Sequence, residues 1–190
     1  DDIQLRKTAD TYSASFTSDT SANFIYFSFS ADKKFDNNYN EGYTIPLYEN
    51  GTIRNGSYFS QSMFFQYLGG QAGVSRDNAK ALAAMEKEFA LYPQSRKTNL
   101  INYVRLQGSI NKDANPALLQ KEIEAQLKSG LKDETDYENV ASLYQLSKLP
   151  EQSKLITGLK KEKFPEGRWV MNDKMQSFYN TPDVQKKEEV

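Results

Sequence analysis

The chain has 190 residues, and its 24 lysines and arginines nearly balance its 25 aspartates and glutamates to a formal net charge of -1. Without a strong overall charge, long-range attraction to nucleic acid or to an anionic membrane is not indicated. Cysteine and histidine are both absent, which excludes disulfides, thiolate nucleophiles, imidazole bases and most zinc or haem sites. The sequence therefore nominates no catalytic, cofactor-binding or metal-binding residue.

Residues 1–57 form a first predicted domain, because short runs of alternating polar and apolar residues are separated by turn residues there. The predicted strands are Ile3–Lys7, Tyr12–Phe16, Asn23–Ser30, Tyr43–Tyr48 and Thr52–Arg54. In the third strand Ile25, Phe27 and Phe29 share a face, which we predict to be the core. Asn50-Gly51 predicts a type I′ hairpin turn, since both of its residues must take positive φ. We interpret the region as a small β-sandwich.

Residues 58–180 form a second predicted domain with helical periodicity. The predicted helices are Tyr58–Leu68, Ser75–Leu91 and five more that begin near Ser95, Asn115, Thr135, Pro150 and Arg168. Ser75 and Thr135 are predicted caps, and Gly108 and Gly130 are predicted helix ends. The predicted inward faces are Ala79, Leu82, Ala83, Phe89 and Ala90; Leu100, Ile101, Tyr103 and Val104; Leu119, Ile123 and Leu127; Val140, Ala141 and Tyr144; and Leu155, Ile156 and Leu159. Residues 181–190 are expected to be a linker or a frayed tail.

Two helix-opening prolines indicate how the helices are arranged. Pro116 and Pro150 lie 150 − 116 = 34 positions apart, the length of a tetratricopeptide-type helix pair. The signature W-x-x-L-G-x-x-Y of that repeat is absent, so we predict a degenerate helix-turn-helix array. The expected fold class is α+β in two parts, a small sandwich followed by this helical array.

One acidic stretch suggests a calcium loop. Oxygen-bearing side chains alternate along it, namely Asp32, Asp36, Asn38, Asn40 and Glu41. An EF-hand requires glycine at position six and glutamate at position twelve, but counting from Asp36 those places hold Glu41 and Leu47. We therefore interpret the stretch as a polar loop between strands and predict no bound cation.

Three other features have a structural interpretation beside a functional one. Asn50-Gly51-Thr52 and Asn55-Gly56-Ser57 fit the N-glycosylation acceptor, but both are also hairpin-turn sequences. The twelve tyrosines and the single Trp169 could stack on sugars, although aromatic residues at these periods are more typical of a core. Glu86 and Glu88 are predicted on different helix faces, so they form no acid/base pair.

Several segments together resemble a family. These are Phe27–Ser30, Asp36–Asn38, Glu41–Tyr43, the Asn-Gly hairpin, Asn55–Ser60, Ala79–Leu82, Glu88–Pro93 and Lys163–Gly167. Residues 20–170 resemble the N-terminal half of exported bacterial thioredoxin-like thiol-disulfide oxidoreductases. The resemblance implies an immunoglobulin-like domain and a helical-repeat segment ahead of a thioredoxin domain. The family's C-x-x-C is absent, so no catalytic residue is carried over.

The resemblance implies a non-catalytic accessory module of a periplasmic or otherwise exported redox protein. Its expected partner is a protein, either its own C-terminal thioredoxin domain or a client polypeptide. The alternative is a free-standing exported binding protein for polypeptide or glycan. An enzyme that uses carboxylates alone is disfavoured, since no acid/base spacing is recognisable. We expect no cofactor, no nucleic acid and no membrane span.

Overall fold

In the computed structural model, which describes residues 3–181, the chain folds as two compact units. The first unit ends at Ala84 and the second begins at Met85, within one helix. Short antiparallel strands lie in the first unit, whereas the described part of the second is helical. The structure is therefore a mixture of strands and helices, with the strands first. The predicted domain boundaries at residues 57 and 180 remain predictions.

The strands of the first unit are short, and each pairs with one partner. They are β1 Arg6–Thr8, β2 Thr11–Ser13, β3 Phe24–Phe27, β4 Phe29–Ala31, β5 Lys34–Asp36, β6 Tyr43–Pro46, β7 Tyr48–Glu49 and β8 Thr52–Ile53. The antiparallel pairs are β1 with β2, β3 with β6, β4 with β5 and β7 with β8. Among the described residues these ribbons do not close into a sandwich, so the immunoglobulin-like domain stays a prediction.

The predicted turn between β7 and β8 is confirmed, because Asn50 has φ 51° and Gly51 has φ 80°. The single strand predicted over Asn23–Ser30 is wrong. It is interrupted at Ser28, and its two halves, β3 and β4, pair with different strands. A short hairpin joins β4 to β5 through Asp32 and Lys33, which also have positive φ.

The predicted core face of this region is wrong as well. Phe24 and Tyr26 contact the ring of the buried Phe64 at centroid distances of 5.5 and 4.8 Å. The hydroxyl of Tyr26 also donates a hydrogen bond to the carbonyl of Ala72 over 2.7 Å. Both faces of β3 carry large apolar side chains, so alternation identifies two faces without showing which one a helix covers.

The face predicted to be buried instead forms a small aromatic cluster at the surface. The ring of Phe27 stacks on that of Tyr43 at 5.3 Å, and Phe29 lies 5.5 Å from each of these two rings. Phe29 is 40% exposed, and Ile25 is only partly buried. These side chains therefore gain less from burial than a core face would.

Helical segments follow the strands. They are α1 Ser57–Met63, α2 Asn78–Leu91, α3 Ser95–Ile110, α4 Asn115–Ser129, α5 Glu134–Leu146, α6 Pro150–Lys163 and α7 Arg168–Asn180. A π-helical turn, Phe64–Leu68, and a short 3₁₀ helix, Gly69–Ala72, continue α1. The seven predicted helices are thus present. Among the described residues, none of the helices combines the length and the apolar character that a membrane span requires.

Two predicted caps are wrong. Helix α2 is capped by Asp77 rather than Ser75, since the Asp77 carboxylate accepts a hydrogen bond from the Lys80 N–H over 2.9 Å. Helix α5 begins with a reciprocal capping box between Asp133 and Asp136 rather than at Thr135. In both cases an aspartate carboxylate caps the helix, rather than the predicted hydroxyl.

The two glycines predicted to end helices, Gly108 and Gly130, have different roles. Gly130 ends α4 as predicted, with φ 78°. The predicted helix end at Gly108 is wrong, because α3 continues to Ile110. A Cβ atom at Gly108 would lie 2.6 Å from Oδ1 of Asn115, so a glycine there permits close packing of α3 and α4.

Two apolar clusters lie in the described part of the second unit. The first joins α3, α4 and α5 through Leu100, Val104, Leu119, Ile123 and Leu143. The second joins α5 and α6 through Tyr137, Val140 and Ile156. Most of the predicted inward faces are confirmed in part by these clusters.

Some predicted core residues are exposed instead. Leu127 is exposed because it lies one turn beyond the part of α4 that packs on α3 and α5. Leu155 and Leu159 flank the buried Ile156 on α6 and are also exposed. On α2 the predicted face is wrong: the buried residues are Ala81, Ala84, Met85 and Glu88, whereas Ala79, Ala83 and Ala90 are exposed.

Candidate functional site

The second unit contains a cleft of about 290 Å³ between α5 and α6. Its lining residues are Tyr137, Glu138, Ala141, Ser142 and Gln145 from α5, and Ser153, Thr157 and Lys160 from α6. The α5 residues come as two adjacent pairs four positions apart followed by Gln145, and the α6 residues recur at intervals of four and three, so each set lies on one face of its helix. Small side chains at Ala141, Ser142 and Ser153 leave the space between the helices, and most of the surrounding groups are polar.

Charged groups meet at one end of the cleft. The ammonium of Lys160 lies 3.2 Å from Oε1 of Glu138, and Nη2 of Arg168 lies 3.2 Å from Oε2 of the same carboxylate. The Lys160 side chain is only 11% exposed. Glu138 is thus neutralised from both of its oxygens, while Lys160 is held at the wall of the cleft.

A second, smaller cavity of about 190 Å³ lies in the first unit. A loop from Asn37 to Gly42 forms one side, and three consecutive residues in it, Asn38, Tyr39 and Asn40, have positive φ. The buried Asn37 side chain holds this loop, since its amide donates to Oδ1 of Asn40 and to the carbonyl of Gly73. Tyr39 at the tip is 96% exposed.

Three of the residues that suggested a calcium site, Asn38, Asn40 and Glu41, lie in this loop, and Asp36 directly precedes it. Asp36 uses one carboxylate oxygen to accept from the Asn38 N–H and the other to accept from the Tyr43 hydroxyl, over 2.9 and 3.1 Å. The hydrogen bond to Asp36 raises the pKa of Tyr43. Glu41 pairs with Lys80 at 3.1 Å. No group of three or more acidic residues suited to a metal ion occurs within residues 3–181.

The two glycosylation-type sequences lie in turns. Asn50 is in the β7–β8 hairpin, and Asn55 is in the turn before α1. Ser57, the third residue of the second sequence, is fully buried, and its hydroxyl bonds the backbone of Asn23 and Leu47. This serine therefore ties the residues that flank β3 and β6 to the start of α1.

The remaining candidates have structural roles. The indole N–H of Trp169 donates to the carbonyl of Phe164 over 2.6 Å, and the ammonium of Lys161 lies 4.4 Å from the centre of its ring. Glu88 is fully buried, whereas Glu86 is exposed, so these two carboxylates lie on different faces as predicted.

A triad of charges links α3 to the start of α5. The ammonium of Lys97 lies 2.7 Å from Asp133 and 2.7 Å from Asp136. Burial alone would lower the pKa of Lys97, but its hydrogen bonds to both aspartates outweigh burial and raise it. The hydrogen bond from Lys97 lowers the pKa of Asp133. Burial would raise the pKa of Asp136, but hydrogen bonds from Lys97 and two backbone N–H groups lower it.

The cleft between α5 and α6 is not evident from the sequence. The available signal was the set of small and polar residues on facing stripes of two neighbouring helices, with Lys160 among them. Such stripes look like solvent-exposed faces until the helix pairing is known. Comparison of the chain with protein-family models, curated proteins and solved structures found no match.

Proposed function

We propose that this chain is a non-catalytic module for protein interaction, the N-terminal part of a periplasmic thioredoxin-like thiol-disulfide oxidoreductase. In this proposal an immunoglobulin-like part and a tetratricopeptide-like helical array position the catalytic domain or recognise a client. The sequence resemblance supports the identity of the parent protein. Thiol-disulfide exchange requires an attacking thiolate, and this chain has no cysteine, so the chemistry would belong to another domain.

Helix α7 is the observation that carries the proposal. Met171, Met175 and Tyr179 recur at intervals of four residues and therefore lie on one face, which we call the α7 stripe. Their exposed fractions are 64%, 50% and 73%. Contiguous exposed apolar side chains mark interaction sites, and methionine adapts well to a partner's shape. We assign the following thioredoxin-like domain as the partner that covers this stripe.

The first turns of α7 are fixed to the rest of the second unit. Asp173 pairs with Lys161 of α6 at 2.5 Å, and the backbone N–H of Arg168 donates to the carboxylate of Glu134 over 3.0 Å. Trp169 packs at the same end through its bond to Phe164. The direction of the helix is thereby set, while residues 171–180 remain exposed. Such a helix is a suitable platform for orienting a second domain.

The parent protein provides the first test. We expect the native gene to continue past Val190 into a domain with a C-x-x-C pair, and its full product to reduce insulin while this chain does not. The gene sequence and an insulin-reduction assay on both proteins check this. A stop codon after Val190, or a continuation without a cysteine pair, would contradict the redox-accessory proposal.

A matched pair of substitutions tests the docking role in the full product. Met175→Glu places a charge in the α7 stripe, and Gln176→Glu adds the same charge at the next position of the same exposed helix. We expect Met175→Glu to slow insulin reduction about fivefold, because loss of a central interface residue costs about 1 kcal/mol or more. Reduction of a small aromatic disulfide should be unchanged in both variants. Equal rates of insulin reduction by the two variants would contradict a docking role for the α7 stripe.

A free-standing exported binding protein for polypeptide or glycan is the second candidate function. The polar cleft between α5 and α6 favours it, because hydroxyl, amide and charged side chains converge there. If the gene ends at Val190, this binding function becomes the preferred proposal.

A further inference from the structure

The cleft between α5 and α6 has two chemically different ends. The two helices are antiparallel and joined by a short connection, so Gln145 lies near Ser153 at the end next to that connection. Glu138 and Lys160 lie together at the other end, 3.2 Å apart. The cleft thus offers hydroxyl and amide groups along its length and a cation at one end.

Lys160 has hydrogen-bonding capacity that its contact with Glu138 does not use. An ammonium has three N–H donors, and the contact with Glu138 uses one of them. The residue is 9% exposed, so bulk water solvates it poorly. A buried cation gains more from an additional acceptor than an exposed one does, because the competing hydration is weaker.

Local charge favours an anionic acceptor. Glu138 is shared by Lys160 and Arg168, so these three side chains carry two positive charges and one negative charge. Glu134 accepts a hydrogen bond from the Arg168 backbone N–H over 3.0 Å and lies 3.7 Å from the Arg168 guanidinium, but it does not line the cleft. Within the cleft, the charged lining residues are Lys160 and a carboxylate that already has two cationic partners.

We infer that this cleft binds a carboxylate side chain of an acidic polypeptide. The carboxylate accepts hydrogen bonds from the Lys160 ammonium, and the hydroxyls of Ser142 and Ser153 and the amide of Gln145 bond the adjoining peptide groups. A volume of about 290 Å³ accommodates one acidic side chain with part of its backbone. The inference deepens the proposed function, on which it rests, because it gives a recognised client a chemical class.

Titration of the isotope-labelled 190-residue chain with three probes tests the inference by NMR. The probes are a capped tetraglutamate peptide, a capped tetraglutamine peptide and chitotriose. We expect tetraglutamate to shift the backbone signals of Ser142, Ser153 and Lys160, and to bind at least about tenfold more tightly than tetraglutamine. Tighter binding of tetraglutamine or chitotriose, or the absence of tetraglutamate binding, would overturn the inference.

Substitutions locate the binding. Lys160→Met removes the charge while keeping most of the side-chain length, and Ser142→Leu fills the cleft without changing any charge. Each is expected to weaken tetraglutamate binding about tenfold or more. Lys154→Met is the control, since Lys154 is a well-exposed lysine of the same helix that does not line the cleft.

The dispersion of the amide signals shows whether each variant is folded. If Lys160→Met does not fold, Ser142→Leu still tests the site. Unchanged tetraglutamate affinity in a folded Lys160→Met or Ser142→Leu variant contradicts the assigned site. All of these measurements use this chain alone. A negative result therefore leaves the gene-continuation and insulin tests of the proposed function unaffected.

Discussion

In the described part of the first unit seven residues other than glycine have positive φ, whereas in the described part of the second unit Lys148 alone does. The seven are Ala9, Asp32, Lys33, Asn38, Tyr39, Asn40 and Asn50. Positive φ is costly for residues with a Cβ atom, so surrounding interactions must compensate for it. In the loop that contains Asn38, Tyr39 and Asn40, the compensation includes hydrogen bonds from the Asn37 side-chain amide to Asn40 and to the backbone of Gly73.

The second unit depends on a different set of interactions. Apolar clusters join its helices, and ion pairs such as Arg96–Glu122 at 2.6 Å link α3 to α4. Its backbone is regular, and its stability comes from side chains packed between helices. The comparison teaches that loss of apolar volume should damage the second unit most, whereas backbone changes at turns should damage the first.

Leu143→Ala should have the largest effect. Leu143 is fully buried in the cluster that joins α3, α4 and α5, so we expect its truncation to lower the free energy of unfolding by about 3–5 kcal/mol. Leu155→Ala is the control, since Leu155 is exposed, and it should cost less than about 0.5 kcal/mol. Urea unfolding followed by the fluorescence of Trp169, the only tryptophan, reports on this unit. Equal midpoints for the two variants would show that the cluster does not stabilise the unit.

Gly42→Ala should have an intermediate effect. Gly42 has φ 76°, and a Cβ atom there would lie 3.1 Å from both the Tyr26 ring and Val74. Gly51 has φ 80°, but nothing lies within 4 Å of its Cβ position. We expect Gly51→Ala to cost about 1 kcal/mol from backbone strain alone and Gly42→Ala about 2–3 kcal/mol.

Amide hydrogen exchange in β3 and β6 measures the stability of the first unit locally. The difference between the two glycine variants isolates the crowding around Gly42 from the cost of positive φ. Identical protection factors in both variants would mean that crowding at Gly42 contributes nothing.

Lys97→Met should have the smallest effect, and that effect depends on pH. Lys97 is 39% exposed, so solvent screening limits the expected loss at neutral pH to about 1 kcal/mol. The pKa values of Asp133 and Asp136 are lowered in the folded chain, so their contribution is present above the ordinary aspartate value of 3.8. It is lost as pH falls through the lowered values.

The pKa of Lys97 is raised, so Lys97 stabilises the folded chain below the ordinary lysine value of 10.5. This stabilisation is lost at high pH, as the pH rises through the raised value. The difference in urea midpoint between Lys97→Met and the unchanged chain should therefore shrink in acid and in strong base. Lys154→Met, which breaks an exposed pair with Glu151, serves as the control and should show almost no effect. A difference that is constant from acid to neutral pH would contradict the assigned coupling.

Features of the fold set by one or two neighbouring residues were predictable. Pro150 begins α6, Gly130 ends α4 and Asn50-Gly51 forms the β7–β8 turn, because each acts through its own backbone conformation. Cap positions were harder to predict, since Ser75 and Asp77 are both good caps and lie within three residues of each other.

The candidate site could not be predicted to the same extent. Lys160 and Glu138 are 22 residues apart, and nothing local indicates that they meet at 3.2 Å. The alternation in β3 likewise defined two faces but did not identify the one that packs on Phe64. Only the pairing of elements resolves such choices.

The amino-acid sequence was sufficient to predict the helix start at Pro150, the helix end at Gly130 and the lack of thiol chemistry in this chain, because each follows from the identity of single residues. The tertiary structure alone decided which faces are buried, where charges meet and where the cleft lies. The physical reason is the distance along the chain over which each interaction acts. Backbone propensity acts over a few residues, whereas burial and ion pairing depend on the side chains that folding brings together.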